Sequence, residues 1–111
     1  MLFNDDQLAI RDLARRFARQ RLLPHYQARE KAAVMDRDLV REMGELGLLG
    51  ADLPERFGGL GAPGVTAGII AEELAYGDFN ISTVQVNVSL LGAILANSGS
   101  PALVEQWLPR M

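Results

Sequence analysis

The sequence predicts an all-α domain of about five helices packed around a buried apolar helix, and three observations predict it. Apolar residues recur at helical spacing in one segment after another. Most of these segments follow an Asn, Asp or Ser suited to capping a helix. A glycine-rich stretch, residues 44–61, divides them into two groups.

The first helix is predicted to begin at Asp5. Asn4 is a good N-cap, Gln7 stands three residues on as in a capping box, and Phe3 and Leu8 hold the hydrophobic-staple positions. Ile10, Leu13, Ala14, Phe17 and Ala18 form a stripe that buries one side, and Pro24 should end or bend the helix. The opposite side carries Arg11, Arg15, Arg16 and Arg19 with Asp12. A solvated face accounts for it more simply than a patch for an anionic partner, because the chain as a whole is acidic. A second, short helix has Asp36 as N-cap and Met35 and Val40 as its staple. Its apolar face is Leu39, Val40, Met43 and Leu46, and Gly47 stops it.

Residues 44–61 are punctuation: six glycines and Pro54 in eighteen residues specify an irregular, tightly turned connection. Leu46, Leu48, Leu49, Leu53, Phe57 and Leu60 make it too apolar for a free linker, so it should press onto the core. Val65, Ile69, Ile70 and Leu74 mark a third helix, with Glu72 and Glu73 on its flank and Gly77-Asp78 closing it. For the next helix Asn80 is the N-cap candidate, with Phe79 and Val84 as staple. Residues 83–90 alternate polar and apolar, as a half-buried strand does. The uncharged run, however, continues to Ala96 with residues of helical propensity, and helix is the preferred reading. Being apolar on nearly all sides, this segment is expected to be the central, buried helix. Ser100 and Pro101 supply N-cap and N1 for a last helix through Val104 and Trp107, which the end of the chain at Met111 cuts off.

A chain of 111 residues suits one domain with a real core. The absence of cysteine excludes disulfides, a thiol nucleophile and thiolate metal sites, and the single His25 cannot build a metal site by itself. A net charge of −3 argues against a nucleic-acid partner. The start, Met-Leu-Phe-Asn-Asp-Asp, has neither a basic nor an apolar targeting region, so the cytosol is expected. Residues 81–100 contain too many Ser, Thr, Asn and Gln for a bilayer span. Since 49% of the residues are hydrophobic and the most apolar helix lies close to the end, some apolar surface should face a partner or a missing domain.

Two patterns invite a chemical reading. Gly59-Leu60-Gly61-Ala62-Pro63-Gly64 matches the letters of a dinucleotide fingerprint, with Asp78 downstream. That motif needs a strand delivering its glycines to a helix N-terminus, and no βαβ unit surrounds it here. Glu72-Glu73 offers carboxylates without a second group to complete a constellation, so ordinary helix-surface residues are the better account.

Several blocks, in order, carry a resemblance: Gln7 through Phe17, Met43-Gly-Glu-Leu-Gly-Leu-Leu-Gly, Leu53-Pro-Glu-Arg-Phe-Gly-Gly-Leu-Gly, Glu72-Glu-Leu-Ala and the terminal Gln-Trp-Leu-Pro. The chain resembles, over essentially its whole length, the N-terminal α-helical domain of the flavin-dependent acyl-CoA dehydrogenases. The resemblance implies a parent enzyme in which this domain precedes a β-domain and a C-terminal helical bundle. In such an enzyme FAD accepts a hydride from the acyl thioester, and a carboxylate from the bundle removes the α-proton. It also implies an electron-transfer flavoprotein or similar acceptor, and a homo-oligomer. The threonine-glutamate-proline motif that opens the β-domain is not in this sequence, so no catalytic or FAD-binding residue is assigned here and no FAD is expected on this fragment. What the resemblance carries over is a wall of the acyl pocket on the fourth helix, at Ser82, Thr83, Val86 and Leu90. Ser82, Val86 and Leu90 share a helix face at i, i+4, i+8. The alternative for these residues is domain core. The alternative for the whole chain is a free-standing helical interaction module. A reading frame that continues into a β-domain and bundle favours the enzyme, and a stop codon after Met111 favours the module.

Overall fold

The computed structural model describes residues 3–110, so the targeting expectation at Met1 and Leu2, and the cut-off at Met111, lie outside it. Helix α1 (Asp5–Phe17) starts where its capping box places it: the Asn4 side chain accepts from the Gln7 N–H at 2.8 Å and the Gln7 side chain accepts from the Asn4 N–H at 3.0 Å. Its end differs from expectation. The α-helix is interrupted around Pro24, where His25 leaves helical geometry (φ −120°, ψ 8°), but the chain does not stop turning there. Instead the helix widens into a π turn (Ala18–Leu22), in which the Leu23 N–H reaches back to Ala18, then tightens through Leu23–His25 and resumes as α2 (Tyr26–Ala32). A proline ring clashes with the carbonyl four residues back and cannot donate, and the change of pitch just ahead of Pro24 accommodates both. Helix α2, which the sequence reading lacks, closes at Ala33 in the left-handed region (φ 55°).

The remaining helices are α3 (Arg37–Glu45), α4 (Gly64–Gly77), α5 (Phe79–Ser98) and α6 (Pro101–Trp107). Asp36 caps α3 by accepting from Leu39, and Ser100 caps α6 by accepting from Leu103. The predicted segment at 83–90 is helical, within α5, and no strand occurs among the described residues. The Asn80 cap is corrected: α5 starts at Phe79, and Asp78 is the residue whose carboxylate accepts from the Asn80 and Ile81 N–H groups.

The central element is also not the expected one. Helix α4 lies between α1 and α5, and Ile70 and Leu74 on it are fully buried. They pack with Ala14, Phe17, Leu22, Met43, Leu48 and Ile81 into the main core. Two of the arginines assigned to a solvated face of α1 cross to α4: Arg15 forms a bidentate pair with Glu73 at 2.8 and 3.1 Å, and Arg19 stacks over Tyr76. Gly77 is required by close approach, because a Cβ there would lie 2.6 Å from the Ala18 carbonyl oxygen.

The glycine-rich connection presses onto the domain as its composition requires, with Leu48, Ala51 and Leu53 buried, although Leu46 and Leu60 point outward. It folds back on itself, Gly61 N–H to Leu53 carbonyl at 2.8 Å and Ala62 N–H to Ala51 carbonyl at 2.9 Å, and Leu53 joins Val104 and Leu108 in a smaller second cluster.

Candidate functional site

Helix α5 is fixed from its first residue. Asp78 is buried, and while one carboxylate oxygen caps α5, the other accepts from Arg29 Nε at 2.9 Å. Arg29, itself mostly buried, also donates to the carbonyls of Arg21 and Leu22 at the end of the irregular turn. One guanidinium and one carboxylate therefore tie together the π turn, α2 and the α4–α5 corner.

Beyond that corner the inner side of α5 is its polar side. The Ser82 hydroxyl donates to the Ala71 carbonyl at 2.8 Å and the Gln85 amide donates to the Ala67 carbonyl at 3.2 Å, both on α4. The Ser89 hydroxyl donates to Asp52 of the glycine-rich connection at 2.7 Å. Gly92 permits the seat of Leu53, since a Cβ at that position would meet Leu53 Cδ1 at 2.6 Å. The outer side carries large apolar residues among exposed polar ones: Val86 is 46% exposed, Leu90 54%, Leu91 53% and Ile94 54%, and Thr83, Asn87 and Asn97 are exposed with them. The expected central, buried helix is thus an edge helix turned inside out. Inward, Ser82 and the Gln85 amide donate to backbone carbonyls of α4 alongside the buried Ile81, while several of the larger aliphatic side chains are left outside. By length and composition alone, with a mean hydropathy of 1.5 over an 18-residue window, α5 is apolar enough to cross a bilayer, as the core helix of a soluble protein can also be.

The four residues assigned to the acyl-pocket wall divide accordingly. Val86 and Leu90 lie on the open face and are not domain core. Thr83 is exposed beside them, its hydroxyl donating to the Asn80 carbonyl at 2.6 Å. Ser82 is 4% exposed and turned into α4. Ile94 and Leu91 extend the open face and were missed, although the i, i+4 spacing from Val86 through Leu90 to Ile94 signals the first of them. Asp78 and Arg29 were missed as a pair, since nothing local links residues 49 apart in sequence.

The other candidates resolve simply. Glu73 is held by Arg15, chiefly through the hydrogen bond, which keeps its carboxyl below the usual glutamate range although burial pushes it up. A carboxylate so stabilised is a poorer base. The glycine fingerprint has no preceding strand. Gly59 sits there because a Cβ would lie 2.2 Å from the Leu53 carbonyl oxygen, and Gly64 opens α4 after an extended Pro63. The glycine stretch therefore lacks the strand–turn–helix setting that a dinucleotide fingerprint needs.

Comparison with known proteins agrees with this architecture. The family described as "Acyl-CoA dehydrogenase, N-terminal domain" matches residues 4–111. The long-chain specific acyl-CoA dehydrogenase of Sus scrofa mitochondria is 30% identical over 110 residues, covering 99% of this chain and 26% of that protein. A glutaryl-CoA dehydrogenase from Mycobacterium smegmatis, solved in complex with FADH2, superposes with a TM-score of 0.88 at 29% identity, covering 97% of this chain and 28% of that one. A structure described as the electron transferring flavoprotein of Acidaminococcus fermentans superposes at 0.89 with 32% identity, covering 98% of this chain and 29% of that one. The chain thus spans roughly a quarter of the length of these relatives.

Proposed function

The chain belongs to the acyl-CoA dehydrogenase family, as its N-terminal domain, and on that premise we propose that it is part of a flavoenzyme that introduces an α,β double bond into an acyl-CoA thioester, with α5 supplying one wall of the acyl pocket. The observation that carries the proposal is the inverted α5. A helix held to its own domain by polar groups while Val86, Leu90 and Ile94 face outward is suited to an aliphatic ligand. FAD is the cofactor of the longer protein, held by residues outside this chain. An electron-transfer flavoprotein is its acceptor, a homo-oligomer its assembly and the cytoplasm its compartment.

Steady-state kinetics on the full-length flavoprotein test the proposal. The purified protein should carry flavin that acyl-CoA bleaches. Val86→Glu should lower kcat/KM for aliphatic acyl-CoAs on the order of a hundredfold with an unchanged flavin spectrum, because an unpaired carboxylate against a hydrocarbon chain must be desolvated or protonated. Unchanged kcat/KM for every substrate would remove Val86 from the pocket.

A further inference from the structure

We propose that Arg29 is a positioning residue for the acyl-pocket wall, setting from α2 where α5 begins; the inference rests on the acyl-CoA reading above. Helix α2 buries none of its seven residues, and from Gln27 to Asp38 every residue except Arg29 is exposed. Clefts of about 500 and 390 Å³ flank it, and Arg29, Val34, Met35 and Asp36 line both. So short a helix is marginal in water without tertiary support, and apolar packing does not supply it here. Arg29 does.

The Arg29 side chain, mostly buried, donates through Nε to Asp78 at 2.9 Å and through its two terminal nitrogens to the carbonyls of Arg21 and Leu22. A guanidinium holds its donors on a rigid planar fork, so these bonds fix it against the irregular turn and the α4–α5 corner together.

The other carboxylate oxygen of Asp78 accepts from the Asn80 and Ile81 N–H groups at 2.9 and 3.3 Å, where α5 starts. Hydrogen bonds to an ionised group are about twice as strong as neutral ones. The corner therefore grips α5 harder than the neutral bond that Ser82 or Gln85 makes to α4. The residues assigned to the wall follow at once: Thr83 donates to the Asn80 carbonyl, and Val86 lies about 7.5 Å of helix rise beyond Ile81. A displacement at the corner passes along the stiff helix to them.

The test compares steady-state kinetics and hydrogen exchange in full-length flavoproteins carrying Arg29→Met, Arg29→Met with Asp78→Asn, or Met43→Ala. The double variant leaves no unpaired buried carboxylate and keeps Asn, a competent cap, so it carries the test even where Arg29→Met alone fails to fold. KM for aliphatic acyl-CoAs should rise on the order of tenfold in it, with kcat and the flavin spectrum little changed, because a wall touches the substrate in ground and transition states alike. Its α2 amides should lose their protection while those of Ile70 and Leu74 keep theirs. Met43→Ala opens a costly core cavity on α3 but removes no bond of the corner, and its KM should stay that of the wild type. A wild-type KM or a still-protected α2 in the double variant, or an equal rise in KM in Met43→Ala, would overturn the inference while leaving the acyl-CoA reading intact. Flavin that no acyl-CoA bleaches would overturn both.

Discussion

Helices α4 and α5 are neighbours of nearly equal hydrophobicity, yet α4 is the centre of the domain and α5 its edge. The difference lies in where each keeps its polar groups. Helix α4 has Ile70 and Leu74 in the core and Glu72 at its exposed rim. Helix α5 turns Ser82, Gln85 and Ser89 inward and Val86, Leu90 and Ile94 outward. A helix apolar all round is therefore placed by the partners available to its few polar atoms. On α4 the carbonyls of Ala67 and Ala71 are those partners.

The largest expected effect is at the corner the two helices share. Arg29→Met leaves the buried Asp78 carboxylate without its cation, and breaking such a pair costs about 3–5 kcal/mol. Urea denaturation should show a loss of that order, and a loss no larger than that of a surface substitution would mean that the corner is held by packing alone. Next, Leu74→Ala on α4 should cost about 2–5 kcal/mol as a cavity in the core. Leu90→Ala on α5 should change the same unfolding free energy by no more than about 0.5 kcal/mol. Comparable losses at both positions would abolish the contrast. The smallest effect concerns the clamp between α1 and α4. The Glu73 carboxyl is depressed in the folded state, so its contribution is fully present above the ordinary glutamate value of about 4.3 and is lost as pH falls through the lower folded value. Because Arg15 is 38% exposed, solvent screens the pair to about 1 kcal/mol or less. Glu73→Gln should lower stability by that amount at neutral pH and flatten the acid limb of a stability–pH curve.

Much of this was legible in the chain. Asn4, Asp36 and Ser100 cap helices through hydrogen bonds that their local sequences dictate, and Gly47 and Pro54 mark turns for reasons internal to the backbone. What was not legible depends on long-range pairing. Asp78 and Asn80 are both competent caps, and only the arrival of Arg29 from α2 fixes Asp78 in the role. The rotation of α5 could not be read from a segment with so weak a polar stripe, because it depends on where the α4 carbonyls fall. Val86 and Leu90, which the family resemblance assigned to the acyl wall, are exposed, whereas Ser82, one turn away, is buried and donates to the Ala71 carbonyl.

Cysteine labelling tests the inverted helix most directly, because the chain has no cysteine of its own. Single Leu74→Cys, Ser82→Cys, Val86→Cys and Ile94→Cys variants of the folded domain, at low protein concentration, should fall into two groups. Val86→Cys and Ile94→Cys should react with a maleimide at nearly the rate of an unfolded peptide, while Leu74→Cys and Ser82→Cys should be slower by orders of magnitude. Val86→Cys and Ile94→Cys as protected as Leu74→Cys would place α5 back in the core and remove the open apolar wall.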